Sequence, residues 1–254
     1  HHVYWMSGPN KELFDVNFKD WRSDPEQLYN IDKIPNPVLR ATHRQSKKRL
    51  LAYANSQLSK ALDINTLTIG FARRAATYKR AQLIFKDVDR LIDIGKGKIQ
   101  IIFSGKAHPK DEGGKSLIKN IVKSSKYFTG HIKIIYLENY NMWLGRLITS
   151  GVDVWLNTPL RPNEASGTSG MKASLNGVPN LSVLDGWWSE GCIDGVNGWA
   201  VGNPNEISDE SDADHLYNLI ENNVIPSYYG DKDDWSTMMK ESIKTGISYT
   251  SHRM

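Results

Sequence analysis

The stretch LTIGFARRAATYKRAQLIFKDVDRLIDIGKGKIQIIFSGK, residues 67–106, reads as strand, helix and strand in turn. The apolar residues 67–71 predict a buried strand, and residues 80–94 predict a helix that two glycines end. Residues 98–104 then return to a buried strand. Short apolar strands that alternate with helices are typical of βαβ units and a parallel sheet.

The same alternation continues to the end of the chain. It predicts strands at 132–137, 152–156 and 179–184, and helices at 113–126, 140–150, 169–176, 207–222 and 234–245. Before the first strand, residues 36–62 predict one long amphipathic helix. We therefore expect an α/β fold, a Rossmann-like parallel sheet with helices on both faces, over residues 36–254. Residues 1–35 are expected to form a lead-in of irregular structure or short helices.

Composition excludes several classes of protein. The chain has 254 residues, 39% of them hydrophobic and 24% charged, which is globular and argues against disorder. Its apolar runs are too short to cross a membrane, and a net charge of +4 does not demand nucleic acid. The single cysteine fits a reducing, cytoplasmic setting. Because the first residue is histidine, we expect a piece of a longer protein.

Basic residues cluster where the first strand ends. Arg73, Arg74, Lys79 and Arg80 lie within one short stretch, and Thr77 is a candidate N-cap for the helix predicted after it. Ligands bind at the carboxyl ends of parallel strands. Cations oppose the dipole at a helix N-terminus unless an anion lies between. The cluster therefore indicates a phosphate site, with a solvated basic turn as the alternative.

The fourth strand is followed by a small, hydroxyl-rich turn that opens a helix. In Glu164-Ala-Ser-Gly-Thr-Ser-Gly-Met-Lys172, the backbone of residues 167–170 suits a phosphate, although neither the Walker nor the dinucleotide pattern is present. Lys172 is expected in the first turn of that helix, near the basic cluster, where its pKa would be lowered. A neutral lysine can form an imine with an aldehyde. The alternative is an ordinary surface lysine.

These motifs resemble those of a known family. The segment 164–172, followed by Leu175-Asn-Gly177 and Leu184-Asp-Gly186, resembles the cofactor segment of α-glucan phosphorylases. Arg74 with Lys79 and Arg80 resembles their phosphate-binding segment, and Leu137-Glu-Asn-Tyr140 also fits. The resemblance runs along nearly the whole chain and favours the short bacterial and archaeal type. It implies the carboxyl-terminal half of a GT-B architecture, whose amino-terminal domain is absent here.

The resemblance also implies a reaction: reversible phosphorolysis of an α-1,4-glucan, glycogen or maltodextrin, to α-glucose 1-phosphate with retention. Pyridoxal phosphate would be held as an imine on Lys172, and no metal is implied. By position, the cofactor would also contact Thr168, Ser169, Arg73 and Tyr140. Inorganic phosphate would bind Arg74 and Lys79, and the glucosyl unit would contact Glu164, Ala165, Ser166 and Gly167. The full protein would contain the amino-terminal domain and could form a homodimer.

Two departures from the family and two alternatives accompany this interpretation. Lysine is frequent in the family at the position of Arg73, and animal and plant members carry arginine at that of Asn141. A nucleotide-sugar synthase is the first alternative, but its usual Glu-x7-Glu pattern would need glutamate at Lys172. The second is a non-catalytic glucan-binding module. Without its partner domain, we expect the chain alone to be inactive.

Overall fold

A six-stranded parallel sheet forms the centre of the molecule in a computed structural model that describes residues 2–57, 61–203 and 206–250. The strands are β1 (Leu67–Arg74), β2 (Ile99–Lys106), β3 (Lys133–Leu137), β4 (Val154–Asn157), β5 (Asn180–Val183) and β6 (Gly198–Val201). Their order across the sheet is β3-β2-β1-β4-β5-β6. This is the doubly wound order of Rossmann-like folds. The predicted fold class is confirmed.

Helices and short helical turns connect the strands. The α-helices are α1 (His2–Trp5), α2 (Gly8–Asn17), α3 (Asn36–Ser56), α4 (Val88–Gly95), α5 (Glu112–Ser125), α6 (Met142–Gly151), α7 (Thr168–Ser174), α8 (Trp188–Gly191), α9 (Asp209–Leu219), α10 (Ile225–Tyr229) and α11 (Lys232–Ser248). Turns of 3-10 helix cover Pro25–Lys33, Thr77–Lys79, Leu83–Phe85 and Lys126–Phe128, and Ile220–Val224 is a π-helical turn.

Both faces of the sheet are covered, because successive strand residues point to opposite sides. On β2, Ile101 and Phe103 belong to one buried apolar cluster, while Ile102 between them belongs to another. The second cluster includes Leu50 of α3 and Ile148 of α6. Helices therefore pack on both faces of the sheet. The places left for ligands are its two ends, where the strands begin and where they end.

The segment before α3 packs against the rest of the domain. Met6, Phe14 and Trp21 are buried in the same apolar cluster as the sheet. The side chain of Asn176, just after α7, holds this segment by three hydrogen bonds. Its Oδ1 accepts from the Ser7 amide at 2.8 Å and from Asn10 Nδ2 at 3.4 Å, and its Nδ2 donates to the carbonyl of Trp5 at 3.0 Å. Residues 5–7 are thereby fixed beside α7.

The helix predicted over residues 80–94 is wrong in its first half. Arg80 has a left-handed backbone with φ of 46°, which an α-helix does not tolerate. The chain then makes a 3-10 turn, and α4 begins only at Val88, where the Asp87 side chain accepts from the Arg90 amide. An N-cap aspartate inside the predicted helix was the missed signal.

Two further predictions need correction. The helix predicted over 36–62 ends at Ser56, and the part of that prediction at 58–60 lies outside the described residues. Strand β6 was not predicted, because it has only four residues, begins with Gly198 and follows a turn that contains Gly195. It pairs with β5 and makes one further bridge, to Asp194. In the described part of the chain, no helix is both long and apolar enough to span a membrane.

Candidate functional site

A cavity of about 330 Å³ lies where β1 and β4 end side by side. This is the point at which the strand order reverses, where doubly wound folds bind ligands. Its walls bring together all the predicted site residues except Ala165 and Ser166. The lining consists of Ala72, Arg73, Arg74, Tyr78, Lys79, Tyr140, Glu164, Gly167, Thr168, Ser169 and Lys172.

A buried ion cluster forms one wall of this cavity. One carboxylate oxygen of Glu164 accepts from Arg73 Nη2 at 2.6 Å and from Lys79 Nζ at 2.5 Å. Burial raises the pKa of Glu164, but the hydrogen bond from Lys79 and the charge of Arg73 outweigh it, so the pKa lies below its ordinary value. Glu164 is therefore ionised and holds both cations at the cavity.

The second bond of Arg73 goes to Asn157. Its Nη1 donates to the side-chain oxygen of Asn157, the last residue of β4. Burial lowers the pKa of Arg73, and the nearby Glu164 carboxylate partly offsets that effect. An arginine held at both ends of its guanidinium, by the last residue of β4 and by a carboxylate in the loop after it, has little freedom to move. Its guanidinium is thus preorganised.

The loop that carries Glu164 is clamped to the turn after β5. The Asp185 carboxylate accepts from the Glu164 amide at 2.9 Å, and Trp187 donates its amide to the Ser166 carbonyl at 2.9 Å. Gly186 between them has φ of 56°, and a Cβ there would lie 2.5 Å from that carbonyl oxygen. Only glycine fits this close approach. The position of Glu164 is consequently fixed by two strands.

The turn that opens α7 contains a polar atom with no partner. Gly167 adopts φ of 83°, which lets the chain turn sharply into Thr168. The next side chain, Ser169, lines the cavity, and its Oγ is buried without a hydrogen-bond partner among the described residues. Buried hydroxyls are normally paired. This oxygen is suited to a ligand in the cavity.

Lys172 lies in the last turn of α7 and not, as predicted, in its first turn. The explanation from the helix dipole is therefore wrong. The pKa of Lys172 is lowered as expected, but the cause is burial and not the charge of Arg73, Arg74 and Lys79. Its Nζ lies 3.7 Å from the centroid of the Trp5 ring, a cation–π contact.

The basic cluster after β1 divides into two groups. Thr77 begins a 3-10 turn of three residues and caps no α-helix, so the predicted helix terminus is absent at this point. Arg80 binds Asp209 and Asp212 at 2.8 and 2.6 Å and does not line the cavity. Arg74 is exposed on the cavity wall. Arg80 therefore stabilises the fold, whereas Arg73, Arg74 and Lys79 line the cavity.

The segment after β3 adds Tyr140 to the cavity wall. Burial raises the pKa of its phenol, and the charge of Arg73 acts in the opposite direction. The neighbouring Asn141 accepts a hydrogen bond from the Leu144 amide at 2.9 Å and is the N-cap of α6. The residue that departs from animal and plant phosphorylases thus has a structural role of its own.

Comparison with known proteins identifies the family of this chain. The family model described as "Carbohydrate phosphorylase" matches residues 5–190. The chain belongs to the carbohydrate phosphorylase family. It is 44% identical to the maltodextrin phosphorylase of Thermococcus litoralis over its whole length, and 39% identical to the glycogen phosphorylase of Aquifex aeolicus. It covers 34% and 41% of those two relatives, so it spans well under half of either.

Members of the carbohydrate phosphorylase family use pyridoxal phosphate, and the cavity fits such a group. A half-buried lysine of lowered pKa, a buried arginine and an unpartnered serine hydroxyl meet there, at Lys172, Arg73 and Ser169. These are an amine for an aldehyde and donors for a phosphate. The family match also argues against the nucleotide-sugar synthase alternative.

Two residues of this site, Asn157 and Trp5, were missed by sequence reasoning. Asn157 is the last residue of β4, so its position at a strand end carried a signal that could have found it. Trp5 carried none, because it lies far from Lys172 in sequence and reaches it only through tertiary packing. Asp185 was expected to have a structural role beside the cleft, and its bond to the Glu164 amide agrees with that role.

Proposed function

We propose that this chain is the cofactor- and phosphate-binding part of an α-1,4-glucan phosphorylase. The reaction would be the reversible phosphorolysis of glycogen or maltodextrin, which releases α-glucose 1-phosphate with retention of configuration. The observation that carries the proposal is the cavity at the end of β1 and β4, which Lys172 lines together with the three cations Arg73, Arg74 and Lys79. The amino-terminal domain that completes the cleft would come from the rest of the protein.

The residues that would hold pyridoxal phosphate are Lys172, through its amine, with Thr168, Ser169 and Arg73 toward the phosphate and Tyr140 toward the ring. When bound, the group supplies a phosphate that acts as acid and base toward the substrate phosphate. Two phosphates in one cavity repel each other strongly. Arg73, Arg74 and Lys79 offset that repulsion, and the preorganised Arg73 does so without rearranging during the reaction.

Glu164 would act as a placeholder for the substrate phosphate. Its carboxylate accepts from the same Nζ of Lys79 that we assign to inorganic phosphate. A phosphate that binds Lys79 competes with Glu164 for this donor. The displaced carboxylate oxygen then accepts hydrogen bonds from hydroxyls of the glucosyl unit, which couples phosphate entry to sugar binding. Ala165, Ser166 and Gly167, on the same loop, would line the sugar subsite.

The first experiment is to load the purified chain with pyridoxal phosphate, reduce it with borohydride and map the modified peptide by mass spectrometry. We expect one modified lysine, Lys172, and an absorbance band near that of protein-bound pyridoxal phosphate. The matched control is Lys172→Ala, with Lys115→Ala as an exposed lysine elsewhere. Modification of Lys115 and Lys172 to the same extent would contradict the proposal.

The second experiment tests turnover. The chain alone is expected to release no glucose 1-phosphate from maltodextrin and phosphate, because it lacks the amino-terminal domain that would form the other side of the glucan cleft. Joined to an amino-terminal phosphorylase domain, such as that of the Thermococcus litoralis relative, it should become active. A loaded, folded hybrid without activity would favour the non-catalytic glucan-binding alternative.

A further inference from the structure

A second cavity lies at the opposite edge of the sheet, where the strands begin. Its volume is about 520 Å³, larger than that of the cavity at Lys172. Ile64 and Asn65, shortly before β1, and Asp153, directly before β4, form part of its lining. The remaining walls come from α3 on one side and from α10 and α11 on the other. None of the residues predicted for the candidate site takes part.

The floor of this cavity is a closed network of hydrogen bonds. Lys47 is 2% exposed and uses all three of its donors, on Asp153 at 2.5 Å, the Thr66 carbonyl at 2.7 Å and the Tyr228 hydroxyl at 3.1 Å. Asp153 also accepts from the Thr68 amide and contacts His43 Nε2 at 3.1 Å. Because these charges satisfy one another, the floor itself needs no ligand.

The rim is different, because two of its basic side chains have no carboxylate partner in the described part of the chain. Four of the lining residues are arginine or lysine, and only Asp153 among the lining residues is acidic. Asp153 offsets Lys47, and Asp233 pairs with Arg40 at 2.9 Å. The exposed Arg44 and Lys232 form no ion pair within the described residues.

The hydrogen bonds of the two rim cations, Arg44 and Lys232, go to neutral oxygen atoms. Arg44 donates to the amide oxygen of Asn65 at 2.9 Å, and Lys232 donates to the carbonyl of Tyr228 at 2.5 Å. Both side chains have further N–H groups to offer. In addition, the buried Nδ1 of His43, a residue 8% exposed that lines the cavity, has no hydrogen-bond partner in the described part of the chain.

One wall of the cavity is aromatic. The rings of Tyr228 and Tyr229 meet edge to face with centroids 4.9 Å apart, and Trp235 packs on Tyr228 in the same way at 5.2 Å. Edge-to-face contacts of this kind fix the orientation of the rings. A rigid aromatic wall beside unpaired cations suits a ligand that has a flat ring and a negative charge.

We propose that this cavity binds a small organic anion in which a phosphate group is attached to an aromatic ring. Arg44 and Lys232 would bind the phosphate, and Tyr228, Tyr229 and Trp235 would contact the ring. The volume is within the range of small-molecule sites, about 300–1,000 Å³. The proposal does not depend on the phosphorylase reaction, because the two cavities share no lining residue.

The test is calorimetric titration of the purified chain with phenyl phosphate, inorganic phosphate and phenol. We expect saturable binding of phenyl phosphate that is at least about tenfold tighter than that of either fragment, since charge-assisted bonds and ring contacts both contribute. The double variant Arg44→Gln/Lys232→Gln should weaken phenyl phosphate binding by about tenfold or more. Both side chains are exposed, and unchanged thermal unfolding would show that the variant is folded.

Two control variants locate the binding. Lys119→Gln/Lys123→Gln removes the same charge from the exposed surface of α5 and should leave the affinity within about twofold, because screened charges at a distance matter little. Because Arg74 belongs to the other cavity, Arg74→Gln weakens any binding of phenyl phosphate there and leaves the rim cations in place. Loss of all phenyl phosphate binding in Arg74→Gln, with binding retained in the rim variant, would overturn the proposal. Equal affinity for inorganic and phenyl phosphate, or no saturable binding, would overturn it as well.

Discussion

Two buried carboxylates, Asp153 and Glu164, lie at opposite edges of the same sheet, and each is contacted by two basic side chains. At Asp153 both oxygens are engaged, and its partner Lys47 has every donor satisfied. At Glu164 both basic partners bond to the same oxygen, and the cluster opens on a cavity. Similar ion pairs therefore stabilise the fold where every hydrogen-bond donor is already used, as at Asp153. They serve ligand binding where a donor can pass from the carboxylate to a ligand, as at Glu164.

The largest expected effect is on stability, and it comes from substitution of Asp153, the carboxylate whose two oxygens are both engaged. Asp153→Ala leaves Lys47 buried and uncompensated, which should lower the free energy of unfolding by about 3–5 kcal/mol. Urea denaturation measures it. The matched control, Asp233→Ala, removes an exposed partner of Arg40 and should lower the free energy of unfolding far less. Equal losses in the two variants would show that the buried network contributes no more than a surface pair.

Substitution of Glu164, the carboxylate that borders the open cavity, should change phosphate binding more than it changes stability. Glu164→Gln removes the negative charge that competes for Lys79, so inorganic phosphate should bind about tenfold tighter, as calorimetry can measure. The unfolding free energy should fall by less than about 2 kcal/mol, because the cations reach the cavity. Glu138→Gln, an exposed substitution after β3, is the control. Weaker phosphate binding in Glu164→Gln would refute the competition.

Lowering the pH should destabilise the fold through both buried carboxylates, Asp153 and Glu164. Their pKa values in the folded protein lie below the ordinary 3.8 and 4.5, so each stabilises the fold above those values and ceases to do so as the pH falls through the lowered pKa. Unfolding free energy should therefore decrease from about pH 5 toward pH 3. The decrease should be shallower in Glu164→Gln, as urea titrations at several pH values would reveal. Parallel curves for the two proteins would contradict this assignment.

The smallest effect concerns Trp5. Trp5→Leu keeps an apolar side chain but removes the aromatic face over the Lys172 ammonium, which should cost about 0.5–1 kcal/mol of unfolding free energy. A double-mutant cycle with Lys172→Met isolates that contact from general packing. If Trp5→Leu costs the same in the presence and absence of the lysine, the cation–π contact contributes nothing.

The alternation of strands and helices and most of the cavity residues were predictable, because apolar runs of five or six residues mark buried strands and ligands gather at strand ends. The order of the strands across the sheet was not predicted, since it depends on long-range pairing. The helix expected at 80–94 overlooked the local N-cap signal of Asp87. The left-handed backbone of Arg80, whose side chain binds distant aspartates, had no local signal. Lys172 was placed on the correct helix but in the wrong turn, since the helix begins one residue early and ends after Ser174.

What the sequence did not reveal in either cavity was the pairing of charges. Lys47 and Asp153 are more than a hundred residues apart, as are the partners Trp5 and Lys172. No local pattern distinguishes a lysine that will be buried in a network from one that faces solvent. The periodicity of α3 placed Lys47 on a helix, but only the packing of α3 against the start of β4 showed its role.

The Asn176 side chain has a practical consequence for protein engineering. Because it binds the backbone of Trp5 and Ser7 at once, the first turn of the chain and the end of α7 form a single unit. A shortened version that starts at residue 10 would remove Trp5 from the Lys172 amine. It would also remove both backbone partners of Asn176, whose side chain would keep its bonds to Asn10 and to the Lys172 carbonyl. Any trimmed expression design should therefore retain residues 5–7, and a fusion partner is better attached ahead of them than in their place.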